Sequence, residues 1–111
     1  MRVTIQKDML ESVDEKILLT VILGNIEAVK NGAITIDEAE KFIFSPHIKK
    51  MLMEKGCNKK IIELIVKGCE FEDINDLIPE KLEEIIEETK QETLKLLKSY
   101  KEINNSFWLD E

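Results

Sequence analysis

Apolar residues along this chain recur mostly at three- and four-residue steps, the period of an amphipathic helix packed against a core. From Asp14 to Asn31 the residues Ile17, Leu18, Val21, Ile22, Ile26 and Val29 follow that rule, and Gly32 stands where helices commonly end. Leu19 and Leu23 widen the stripe beyond one face, which marks this helix as the expected centre of the domain. Thr35 followed by Glu38 has the form of a capping box, so a helix is expected from Ile36 to Phe44. Ser45 with Pro46 opens another, since serine caps and proline lacks only an amide hydrogen that the first helical position does not use. That helix should run to Lys55 and stop at Gly56. Asn58 caps a further one from Lys59 to Lys67, with Gly68 as its expected stop. A turn containing Asp73 then leads through Leu77 to Pro79, where the last and longest helix begins. Its stripe is Leu82, Ile85, Ile86, Thr89, Thr93, Leu96, Leu97, Tyr100 and Ile103, with Leu94 beside it. Only Arg2 to Gln6 alternates, with Val3 and Ile5 on one side, as a short strand or extended lead-in would.

The pattern therefore predicts an all-α fold, a compact bundle of about five helices with a long C-terminal helix and a short extended N-terminal segment. A chain of 111 residues fits a single helical domain over residues 1–111, with no repeat or composition break to mark a second. Aromatic residues make up only 5% of the chain, so the core must be built mainly from isoleucine and leucine. A core of that size needs no disulfide or metal staple. Cys57 and Cys69 lie outside any close-pair metal or redox spacing and read as reduced thiols. No leader-like stretch precedes Arg2, so the expected location is cytoplasmic. The apolar runs Ile17 to Leu19 and Val21 to Leu23 are broken by Thr20 and Gly24, far short of the roughly 18 residues of a membrane span.

Charge changes the picture more than composition does. The formal net charge is −7, which argues against nucleic acid as a main partner, because a phosphate backbone is bound through lysine and arginine. That total conceals a strong polarity. Residues 41–67 hold seven lysines against two glutamates, whereas residues 70–92 hold ten acids against two lysines. Segments of opposite sign can attract one another within the fold or across a dimer.

The acidic stretch is the first candidate for chemistry. Glu83, Glu84 and Glu87 have the pair-plus-one spacing of all-helical, MazG-like nucleotide pyrophosphatases, in which carboxylates one turn apart hold Mg2+ against phosphates. Glu70 and Asp73 could imitate the second half of such a site, but that half belongs on a later helix and here it comes first. The competing reading places these glutamates on the solvent face, opposite Leu82, Ile85, Ile86 and Thr89. An EF-hand fits less well still, because the region of Asp73, Asn75 and Asp76 lacks the loop glycine and a spaced terminal ligand.

Two helices flanking Gly56, with Lys49, Lys50, Lys55, Lys59, Lys60 and Lys67 nearby, invite a helix-turn-helix reading. The candidate recognition helix instead carries Ile61, Ile62, Leu64, Ile65 and Val66, a core-facing surface with lysine at its ends. His47 is the only histidine and has no assignable nucleophile or orienting partner, so it reads as a surface residue near a cap. Phe107, Trp108 and Leu109 form an apolar cluster that needs cover, either from the chain's own helices or from another subunit or partner, for which tryptophan is a common anchor.

The run from Leu23 through Gly32, Ile34, Ile36 and Glu38 to Glu40, then Phe44, Ser45 and Pro46, and later Glu72, Asp73 and Leu77 to Glu80, resembles a family of uncharacterised bacterial proteins of similar length, known as a domain of unknown function. The residues carrying the resemblance are caps, turns and core positions, so it implies a bacterial source and brings no catalytic residue with it. Together these observations point to a non-enzymatic protein-binding or regulatory module needing no cofactor and no membrane. Self-association as a homodimer and neutralisation of a basic toxin, as an immunity-type protein does, are special cases of that reading. The alternative from a different class is a metal-dependent nucleotide hydrolase using Glu83, Glu84 and Glu87.

Overall fold

The computed structural model describes residues 10–103, and within them every regular element is a helix. In chain order these are α1 Ser12–Lys30, α2 Ile36–Phe42, α3 Pro46–Glu54, α4 Lys59–Cys69, α5 Phe71–Leu77 and α6 Pro79–Lys98. The all-helical expectation holds, while the count of about five resolves into four longer helices, α1, α3, α4 and α6, and two short ones of seven residues each, α2 and α5. The radius of gyration is 14.1 Å, close to the roughly 13 Å of a compact domain this long. The expected extended segment from Arg2 to Gln6 lies outside the described residues.

The punctuation read from the sequence operates as hydrogen bonds. Thr35 Oγ1 accepts from the Glu38 amide at 3.0 Å, and the Glu38 carboxylate accepts from the Thr35 amide at 3.2 Å, completing the box that starts α2. Ser45 Oγ caps α3 through the Ile48 amide at 3.1 Å, with Pro46 in the first helical position. Asn58 Oδ1 caps α4 through the Lys60 amide at 2.9 Å. Gly32 and Gly56 follow α1 and α3 in the left-handed region, at φ +72° and +73°, which side-chain-bearing residues rarely adopt.

Four expectations are corrected. The segment after Glu70, read as a turn around Asp73, is α5, which buries Phe71 completely. Gly68 does not end α4; it lies inside the helix, where a Cβ would fall 2.2 Å from the Phe44 ring. Its missing side chain makes room for that ring, which also meets Phe71 edge to face at 5.7 Å. α2 ends at Phe42 instead of Phe44, because the chain must turn there to drive Phe44 into the core. The last helix stops at Lys98 and not near Ile103, as the Ser99 hydroxyl and the Ser99 and Tyr100 amides bond back to Leu96 and Leu97 and tighten the final turn.

The core is aliphatic, as composition required. Leu18, Leu19, Ile22 and Ile26 of α1 meet Ile61, Ile62, Leu64 and Ile65 of α4, with Leu52, Phe44, Phe71 and Ile86 closing around them. α1 touches α2, α4 and α6, so it is contacted on several sides as expected. α4 shares that central place, lying against α1, α3, α5 and α6. Its hydrophobic face, predicted to point at the core, does so. Cys57 is buried and its thiol is pushed up to about 12, chiefly by that burial and then by the Glu15 charge, which leaves it unreactive. Cys69 is half-buried, and burial raises its thiol too.

Candidate interaction surface on the last helix

α6 turns Ile86, Thr89 and Thr93 inward, and this orientation decides where its carboxylates go. Both threonines are fully buried and satisfy their hydroxyls on their own helix, Thr89 on the Ile85 carbonyl and Thr93 on the Thr89 carbonyl, each at 2.7 Å. The opposite face carries a shallow, open depression of about 440 Å3 lined by Glu84, Glu87, Glu88, Gln91 and Glu92. Glu83, Glu84 and Glu88 are exposed, and Glu87 is half-buried at the edge nearest α1.

The three glutamates singled out by spacing do not act as one group. Glu87 Oε2 receives Lys30 of α1 at 2.6 Å, and its Oε1 receives the Gln91 amide at 3.0 Å. These contacts, the lysine first, hold the Glu87 carboxyl below the usual range, and Glu87 raises Lys30 in return. Glu84 stands 3.7 Å from Lys81 on its own helix, and Glu83 is exposed. Among the described residues no three His, Cys, Asp or Glu side chains gather as metal ligands would. Glu70 and Asp73 sit at α5, on a separate helix from this depression. The other tentative contact residues, Phe107, Trp108 and Leu109, lie outside the described residues.

The charge polarity of the chain is partly spent inside the fold. Lys67 of the lysine-rich α4 holds both oxygens of Glu92 at 2.5 Å. Lys90 pairs with Glu27 of α1, and hydrogen bonding to Lys90 lowers the Glu27 carboxyl. These pairs rim α6 on both sides. Each is partly exposed and contributes little. Between α4 and α6 a second cleft of about 300 Å3 is lined by Lys60, Glu63, Leu64, Glu92, Lys95, Leu96 and Ser99, with both signs of charge. His47, as expected, is exposed on the first turn of α3.

One polar constellation has no precursor in the sequence pattern. Glu15 of α1 accepts from the Asn58 amide at 2.7 Å and from the Tyr100 hydroxyl at 2.9 Å, while Asn58 Nδ2 donates to the same hydroxyl at 3.2 Å. Burial and the Glu15 carboxylate raise the Tyr100 hydroxyl, with Asn58 opposing. The residues come from three elements, and nothing local in the chain announces their meeting. Its geometry is that of a structural clamp, since each oxygen of Glu15 is already used.

Capping residues, turns and an aliphatic core are what this architecture is made of, and a family model matches them across residues 10–110. The chain belongs to that family. Its description is "Protein of unknown function (DUF3969)", which attaches no chemistry to any residue. No curated protein and no solved structure matches the chain. Among the described residues no helix is long and apolar enough to cross a membrane.

Proposed function

We propose that this family member is a non-enzymatic protein-binding module whose contact surface is the acidic outer face of α6, and that its partner presents lysine and arginine. The observation that carries the reading is the depression lined by Glu84, Glu87, Glu88, Gln91 and Glu92 on a helix whose other face is locked into the core. Glu88 has no ion-pair partner among the described residues, and Glu83 acts on Lys30 without pairing with it, so most of their charge is available to another molecule. A single-sign patch on a rigid support speeds encounter with an opposite patch and selects against acidic competitors. Neutralising a basic toxin, the immunity-type role, is the narrowest form of this proposal.

The Lys30–Glu87 pair supports a protein contact over a divalent ion, because a lysine ammonium occupies the oxygen that a metal would need. The test is retention of a basic partner from extract by the intact chain and by a Glu84→Gln, Glu88→Gln double variant, followed by titration of the purified partner. A partner bound by the first and at least tenfold more weakly by the second supports the reading. Equal affinity for both removes the acidic face from it. Parallel calorimetry with Mg2+ and Mn2+ addresses the hydrolase using Glu83, Glu84 and Glu87, and saturable binding of either ion would favour that enzyme. Self-association has its own readout: Leu77, 79% exposed at the corner between α5 and α6, is among the described residues the large apolar group most available to a second copy. Sedimentation of the full chain and of a version ending at Ser106 would show whether the Phe107, Trp108 and Leu109 cluster joins it.

A further inference from the structure

α4 and α6 run in opposite directions along the cleft between them, since Asn58 meets Tyr100 at one end and Lys67 meets Glu92 at the other. The apolar floor of that cleft is Leu64, which is buried, and Leu96, which is half-buried. Lys60, Glu63 and Lys95 stand exposed along it. Glu92 is taken by Lys67, while neither Lys60 nor Lys95 has an ion-pair partner among the described residues. Two cations and one carboxylate, Glu63, thus edge an apolar strip. At about 300 Å3 the cleft takes one or two large side chains. A folded partner would need roughly 800 Å2 of surface on its side.

The chain leaves α6 at the mouth of this cleft. Ser99 lines it, the Tyr100 hydroxyl receives Asn58 Nδ2 at the start of α4, and the Lys101 carbonyl accepts from Lys16 Nζ at 2.8 Å. Beyond Ile103 the sequence carries Phe107, Trp108 and Leu109, then Asp110 and Glu111, with no lysine or arginine among residues 104–111. An extended chain spans up to roughly 3.5 Å per residue, so the steps from Ile103 to Trp108 bridge about 17 Å. The cleft is shorter, about 10 Å along α6 from Ser99 to Glu92 at the rise of a helix.

We propose that residues 107–111 occupy the α4–α6 cleft of their own chain, with Trp108 over Leu64 and Leu96 and the carboxylates of Asp110 and Glu111 toward Lys60 and Lys95. An apolar trio followed by two acids matches an apolar strip edged by two lysines, and seating it there removes an apolar patch from water. The family model runs to residue 110, so the tail belongs to the same unit as the helices that receive it. Neither Glu84 nor Glu88 lines this cleft, and both stay open to another molecule when the tail is seated.

Trp108 is the only tryptophan, so its fluorescence reports on the tail alone. In the full chain its emission should lie to the blue of free tryptophan in water and its quenching by acrylamide should be weak, both independent of protein concentration. Lys60→Glu with Lys95→Glu should redden the emission and restore quenching, with helix content by circular dichroism unchanged. Asp110→Lys with Glu111→Lys, which alters no helix, should do likewise, and joining the two pairs should return the blue emission. Emission and quenching equal to those of free tryptophan in the unaltered chain overturn the proposal. So does a protected Trp108 that either pair leaves in place, a combined variant that stays red, or protection that grows with protein concentration, which puts the tail on a second copy.

Discussion

Glu15 and Glu40 are both half-buried glutamates on helices, and their surroundings are opposite. Glu15 meets donors, the Asn58 amide and the Tyr100 hydroxyl, and with them joins α1 to the start of α4 and the end of α6. Glu40 faces like charge instead: Glu72 of α5 first, then partial burial, then Asp37 and Asp73, push its carboxyl up to about 7. The same side chain at similar depth thus binds elements together in one place and is pushed toward its protonated form in the other. Partial burial does not set the role of a carboxylate; the groups that converge on it do.

The hardest way to break the comparison is to disturb the Phe44–Phe71 packing beneath α5. Gly68→Ala places a methyl group 2.2 Å from the Phe44 ring, and overpacking of that kind should destabilise the fold by about 3 kcal/mol. A urea midpoint that does not move would show that Phe44 can shift aside freely. Next in size is Glu15→Ala, which strands two donors and should cost about 2 kcal/mol. Tyr100→Phe removes one of those bonds and should show part of that loss in the same measurement; a loss larger than that of Glu15→Ala would mean that the hydroxyl matters through Asn58 instead.

Smaller effects probe the surroundings of Glu40 and of α6. Glu72→Lys gives Glu40 a cation in place of a like charge, so the melting temperature at pH 8 should rise and its slope between pH 6 and 8 should flatten. This follows because Glu72 is the largest of the groups that raise the Glu40 carboxyl, so replacing it removes the greater part of the stability lost as pH climbs through about 7, while burial, Asp37 and Asp73 still act. Retention of the original slope would assign the pH dependence to other groups. Smallest of all should be Lys30→Ala, since both partners of that pair are partly exposed; a change beyond about 0.5 kcal/mol would mean that the rim of α6 is more than a surface ion pair.

What could be read from the chain beforehand was whatever a few neighbouring residues decide. Thr35 with Glu38, Ser45 with Pro46, and Asn58 each mark a helix start through a bond reaching two or three residues along, and each does so in the fold. Gly32 and Gly56 end helices for equally local reasons. Gly68 resembles them in sequence yet answers to Phe44, a residue 24 positions earlier that no local rule connects to it. α5 was missed for a related reason: its acidic composition suits a turn, and burial of Phe71 against Phe44 supplies what seven residues lack on their own. At the acidic site the spacing of Glu83, Glu84 and Glu87 was visible, but the arrival of Lys30 from α1 was not. Glu40 and Glu72, 32 positions apart, carry no pattern that would have singled them out.

The clamp also has a consequence for the order of events in folding. Glu15 and Tyr100 are 85 positions apart, so their bond cannot close until nearly everything between them is in place, and its closure entropy is repaid only then. An interaction of this kind is absent from the transition state. Weakening it should leave the refolding rate almost untouched and accelerate unfolding, which makes the meeting of Glu15, Asn58 and Tyr100 a determinant of how long the folded molecule survives rather than of how quickly it forms.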